Sequence, residues 1–235
     1  FLNSSNPTFT EDDRCNIYYN NSNSPSDSSR SIGSDLYSIP VDSIEFIYIP
    51  LDTFTVIEPT QFYAAPSDYY LFDIQYGMME LVSENLYISP QGDNSNSGLV
   101  PESPLKTIRY ALSIIQGDSI NAPMIYLLNG IYSPSENGET FPLNIPSFIT
   151  ITGESQNGVI IDAEQSGNVI STENVINTSI ENLTIINGIG GGLSINNSEI
   201  YLSNITVEGN QSNGFYAAGG IYISNSSPIL NNINI

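Results

Sequence analysis

Ser179-Ile180-Glu181-Asn182-Leu183-Thr184-Ile185 is echoed by Tyr201-Leu202-Ser203-Asn204-Ile205-Thr206-Val207, and again by Ile229-Leu230-Asn231-Asn232-Ile233-Asn234-Ile235. The same asparagine therefore stands at 182, 204 and 232. A second phrase, Gly191-Gly192-Leu193-Ser194-Ile195, returns as Gly219-Gly220-Ile221-Tyr222-Ile223. A period in the twenties, built from short β-branched runs and Gly/Asn/Ser turns, is the signature of a solenoid coil. One coil cannot bury its own apolar face, so the core must come from stacking. Alternation along a strand sends Ile180, Leu183, Ile185, Leu202, Ile205 and Val207 inward, and Thr184 and Thr206 outward. Asn182, Asn204 and Asn232 are expected to form a structural ladder in one column, each carboxamide bonding the next.

Working outward, the runs at 124–128, 148–152, 158–161 and 168–171 read as further strands separated by short Gly, Asn and Ser turns. Before them, apolar residues at 105, 108, 111, 112 and 115 follow helical spacing, which predicts one helix near 104–115. Ser103 stands as its N-cap and Pro104 at its first position. Residues 1–40 are rich in Asn, Ser, Asp and Pro and read as loop. The runs at 43–49, 54–57 and 69–74 read as a small Tyr-rich β module that does not align with the later repeat. The organisation is therefore a β-rich module over 1–85 with a polar start, then a solenoid over 86–235.

Composition narrows the partners. The 235 residues carry a net charge of −21, with one lysine, three arginines and no histidine, which excludes nucleic acid and anionic membrane surfaces. No apolar run is long enough for a membrane-spanning helix. Cys15 is the single cysteine, so no intrachain disulfide is expected, and without histidine no zinc or copper site can be assembled. No cofactor is expected. Calcium is the one ion with candidate oxygen ligands, at Asp93, Asn94 and Asn96 in one turn and at Asp162 and Glu164, though Asx-turn hydrogen bonding is the favoured role of the same residues. Eight Asn-x-Ser/Thr sequons are present, at Asn3, Asn20, Asn177, Asn182, Asn196, Asn204, Asn210 and Asn225.

Two stretches carry a family resemblance. Tyr87-Ile88-Ser89-Pro90-x-Gly92-x-Asn94-x-Asn96-Ser97-Gly98, then Pro101-x-x-Pro104-Leu105-Lys106-Thr107-Ile108, resembles the opening of secreted bacterial right-handed parallel β-helix proteins of the pectin-lyase-like superfamily. Asn129-Gly130-Ile131-Tyr132 and Ile160-Ile161-Asp162-Ala163 are similar to that family's first coils. The resemblance covers about 86–235. It implies an all-β, single-stranded right-handed parallel β-helix, with the 104–115 helix capping its N-terminal end, and a secreted or cell-surface location.

The resemblance also implies where chemistry would lie. Lyases of this fold use an Arg or Lys base beside Asp-bound Ca²⁺, and its hydrolases use clustered Asp residues. After Asp118 this chain has no Lys, Arg, His or Cys, and its nine carboxylates are scattered. Only Asp162 and Glu164 share one strand face. No catalytic residue is assigned. The expectation is a non-catalytic β-helix acting in adhesion, surface coating or extracellular fibre assembly. The alternatives are a polysaccharide lyase or hydrolase whose catalytic coils lie outside this segment, or a glycan-binding module. The last would stack sugars on an aromatic strip of Tyr201, Tyr216 and Tyr222, with Tyr126 and Tyr132. Ile229–Ile235 reads as a strand in mid-coil, so further coils, or head-to-tail self-association with the N-terminal module, are expected beyond it.

Overall fold

Strand-forming runs ending in Asn, Gly or Ser wind this chain into parallel coils. The computed structural model describes residues 14–18, 20, 35–37, 46–59, 63–65, 69–212 and 218–235. Two compact units result, one ending at Leu81 and the other running from Val82 to Ile235.

The first unit holds β1 (Cys15–Ile17), β2 (Leu36–Tyr37), β3 (Ile47–Val56), β4 (Ala64–Ala65) and β5 (Tyr70–Met79). Successive strands alternate between two sheets, β1-β3-β5 and β2-β4, and every pairing is parallel. Ile47 pairs with Tyr70, one coil length further along the chain. The module is thus itself a winding of solenoid type, a repeat that the sequence reading does not resolve. The reason lies at its corner. The β3–β5 register skips from Leu51↔Ile74 to Thr53↔Tyr76, and the skipped residues, Asp52 and Gln75, are not asparagines as at the later corner. The runs expected as separate strands around 43–49 and 54–57 are, in their described part, the single strand β3. Pro50 is accommodated there because it precedes the stretch that β1 covers, where β3 has one neighbour. Ile49, Leu51, Phe54 and Val56 fill this unit's own core. Arg14 fastens it from outside, donating to the carbonyls of Leu51 and Asp73 and pairing with the Asp73 carboxylate.

In the second unit the strands fall on three sides of a coil. One side stacks β6 (Leu86–Ile88), β7 (Met124–Leu127), β10 (Thr150–Gly153) and the first halves of β13 (Thr178–Ile186), β15 (Ile200–Glu208) and β17 (Ile229–Asn234). The next stacks β8 (Gly130–Tyr132), β11 (Val159–Asp162) and the second halves of β13 and β15. The third stacks β9 (Leu143–Asn144), β12 (Ile170–Glu173), β14 (Leu193–Asn196) and β16 (Ile221–Ser224). All pairings between these strands are parallel, as in a right-handed β-helix. Inward residues align in columns, Ile125-Ile151-Ile180-Leu202 on the first side and Tyr132-Ile161-Ile185-Val207 on the second. All eight are buried. Thr184 is also buried although it faces outward, because the Gln156 carbonyl lies over it and accepts its hydroxyl at 2.8 Å.

The helix, α1, spans Ile108–Ile114, and its N-cap is Thr107, not Ser103. The residues before it are taken by other bonds. Leu105 bridges Ile88 on the edge of β6 away from β7, its N–H donating to the Tyr87 carbonyl at 2.9 Å. The Asn94 Oδ1 accepts the N–H groups of Lys106 and Thr107. Ile108, Ala111, Leu112 and Ile115 are buried, so segment 98–115 closes the first coil. The unit boundary also falls earlier than residue 85, since Val82 already bridges Ile115.

Candidate functional site

A parallel coil must turn sharply three times, and each turn needs a residue that tolerates left-handed backbone. At the corner between the first two sides stand Asn182, Asn204 and Asn232, at φ of 56°, 53° and 51°. The Asn204 Nδ2 donates to the Asn182 Oδ1 at 2.9 Å, and the Asn232 Nδ2 to the Asn204 Oδ1 at 2.8 Å. Above them the Asn182 Nδ2 donates to Thr152 Oγ1, where the ladder ends. Gly153 occupies the corner there because a Cβ would fall 2.1 Å from the Asn182 carbonyl oxygen.

A second column, absent from the sequence reading, marks the corner between the third and first sides. Asn174, Asn197 and Asn225 stand on successive coils, all at positive φ, and the Asn197 Nδ2 donates to the Asn174 Oδ1. Hydroxyls run beside it: Ser198 Oγ accepts the Val175 N–H, and Ser226 Oγ accepts the Ser198 N–H. The cue was present as Asn197-Ser198 and Asn225-Ser226, one coil apart.

The oxygen-bearing residues singled out for calcium are committed to turns. Asp93 Oδ1 accepts the N–H and hydroxyl of Ser95, which holds its carboxyl below the usual range. Asn94 anchors the start of α1, and the Asn96 Nδ2 donates to the Pro104 carbonyl. Asp162 Oδ1 accepts the Glu164 N–H at 2.8 Å and the Asn187 Nδ2 at 2.9 Å. Glu164 accepts the hydroxyls of Ser135 and Ser133, which lower its carboxyl. Among the described residues no three acidic or thiol groups converge as a metal site.

The tyrosines do not form one strip. Tyr201 is on β15 and Tyr222 on β16, in different sheets, and Tyr216 lies outside the described residues. Tyr132 is fully buried, its hydroxyl 2.9 and 2.8 Å from the carbonyl oxygens of Ile88 and Leu128. Among the described residues of the second unit, Tyr87 stacks on Tyr126, ring centroids 5.1 Å apart and 16° from parallel. Register continues its outward column through Thr152, Glu181, Ser203 and Asn231. The neighbouring column runs through Met124, Thr150, Ser179 and Tyr201. The result is a half-buried aromatic step at the top of a mostly hydroxyl-bearing face that also carries Glu181 and Asn231.

Glu139 is a buried ionisable group that nothing in its local sequence marks out. Its Oε2 accepts the Ile108 N–H at 2.6 Å and its Oε1 the Arg109 N–H at 3.1 Å, so loop 133–140 grips the start of α1. Asn137 adds a bond to the Lys106 carbonyl. Burial pushes the Glu139 carboxyl up to about 7, against those N–H donors and the Arg109 charge.

Residues 90–235 match the family described as Protein of unknown function (DUF1565). No curated protein matches. Among solved structures, a pectin methylesterase mutant in complex with a hexasaccharide is similar at a TM-score of 0.47 and 16% identity, over 65% of this chain and 49% of that one. This chain thus spans about half the length of that enzyme. With well over half of its residues in the family match, this chain of parallel coils belongs to the DUF1565 family.

Proposed function

We propose that this protein is a non-catalytic β-helix of the secreted or cell-surface kind, serving adhesion, surface coating or extracellular fibre assembly. The observation that carries the reading is how the coil carboxylates are spent. Four of the nine carboxylates after Asp118 are engaged: Asp162 and Glu164, two residues apart, each bond neighbouring turns, Glu154 accepts the Asn129 N–H, and Glu139 is buried beneath α1. Acid–base cleavage of a glycoside needs two carboxyls facing one bond, and eliminative cleavage needs a base. The coils after Arg109 carry no basic residue. Self-association end to end is part of the proposal, since a parallel coil offers another chain the same backbone ladder that it offers its own next coil. The full-length protein is expected to leave acidic polysaccharides intact and to form larger species with rising concentration in light scattering. Release of unsaturated or reducing ends would overturn the reading.

A second reading, glycan binding without cleavage, rests on the Tyr87–Tyr126 stack and the polar column of Thr152, Glu181, Ser203 and Asn231 below it. On a glycan array, Tyr126→Ala would weaken retention roughly tenfold if sugars stack there. An unchanged array profile would remove this reading and leave the first.

A further inference from the structure

Four Asn-Gly pairs lie within the described residues, at Asn129, Asn137, Asn157 and Asn187, while Asn213-Gly214 lies outside them. In such a pair the glycine nitrogen can attack the asparagine carboxamide, because no Cβ hinders the approach. Three of the four are held against it. The Asn129 Oδ1 accepts the Ser155 hydroxyl, and the Gly130 N–H donates to the Gly158 carbonyl at 2.8 Å. Asn137 is buried, with both carboxamide atoms bonded, to the Ser133 N–H and the Lys106 carbonyl. The Asn187 Nδ2 donates to Asp162, and the Gly188 N–H donates to the Asn210 Oδ1 at 2.8 Å.

Asn157 differs. Its side chain is exposed and makes no hydrogen bond, and the Gly158 N–H has only a 3.2 Å turn bond to the Ser155 carbonyl. Glycine is nevertheless imposed at 158, where a Cβ would lie 2.0 Å from the Asn129 Oδ1. We propose that Asn157 is a site of spontaneous covalent modification, converting through a succinimide to aspartate and isoaspartate. The Gly158 nitrogen, losing its proton to solvent base, bonds the Asn157 Cγ; the Cγ–Nδ2 bond breaks and ammonia leaves, taking a proton from water. Water then opens the five-membered ring at either carbonyl. The net change is uptake of one water and loss of one ammonia.

The product adds a negative charge to loop 154–158, which already carries Glu154, and, as isoaspartate, one methylene to its backbone. That loop straps two coils, since the Gln156 carbonyl accepts the Thr184 hydroxyl and its Nε2 donates to Thr206 at 3.0 Å. Modification at 157 is therefore coupled to the cover over β13 and β15.

Incubating the folded protein at mildly alkaline pH tests this, with mass spectrometry on the fragment released by cleavage after Glu154 and Glu164. That fragment is expected to gain about 1 Da and to contain isoaspartate. The rate should be roughly tenfold above that at Asn129, Asn137 and Asn187, a difference that vanishes in denaturant. Asn157→Gln should abolish the gain and keep the circular dichroism of the parent. Equal rates at all four sites in the folded protein, or a mass gain in the fragment from Asn157→Gln, would overturn the proposal.

Discussion

An asparagine in the left-handed region does two things at a coil corner. Its backbone makes the turn, and its carboxamide replaces the water that the turn would otherwise need. Asn204 sits between two partners in the ladder, accepting from Asn232 and donating to Asn182. Asn204→Leu therefore leaves both neighbours with a broken bond in a partly buried column, and places a γ-branched residue at φ 53°. A loss of about 1–3 kcal/mol in urea unfolding is expected from the amide alone. Asn204→Gly isolates that contribution, since glycine adopts the same backbone freely. The ladder column was legible because the same residue recurs with like neighbours. The second column was not, because Asn174 is followed by Val175 while Asn197 and Asn225 are followed by serine.

At the scale of an element, α1 is a seven-residue helix whose start is gripped by loop 133–140. Buried Glu139 holds its proton up to about pH 7 in the folded chain, against 4.5 as its ordinary value. The folded state therefore binds an extra proton between those values. The stability it contributes is full below pH 4.5 and is lost as pH rises through about 7. Glu139→Gln should flatten that decline in melting temperature. It should also lower stability at acidic pH, because one carboxamide oxygen cannot serve the Ile108 and Arg109 N–H groups as two oxygens do. A variant whose melting temperature falls with pH as steeply as the parent's would refute the assignment. The apolar spacing of the helix could be read from residues 105 to 115, but its start could not. Asn94, bonding Lys106 and Thr107, and Leu105, bridging Ile88, decide it across stretches of chain that no local propensity spans.

For the whole molecule, a charge of −21 on 235 residues opposes compaction wherever carboxylates are ionised. Added salt should raise the melting temperature at neutral pH by screening that repulsion, and do so little near the isoelectric point of about 4.1. The salt effect also separates this general repulsion from Glu139, whose burial leaves it poorly screened. A melting temperature insensitive to salt at neutral pH would mean that the carboxylates are too dispersed to matter. The C-terminal coils could be read as a fold because their corners repeat one residue type. The N-terminal coils carry the same parallel pairing, but no one residue type repeats where their register skips, at Asp52 and Gln75, and so they left no such trace. The Tyr87–Tyr126 pair was hidden for another reason: a whole coil's worth of chain, the capping helix included, separates its members.

The parallel ladder has a mechanical consequence. Its interstrand bonds point along the stack, so tension on the two ends of the solenoid loads a single ladder at a time instead of shearing many at once. Ser179 to Tyr201 is one coil, and Tyr201 to Ile229 the next. Each coil peeled away would release roughly 70–100 Å of slack chain. Such a rod gives way in steps, dissipating a pull coil by coil while the remaining stack stays folded.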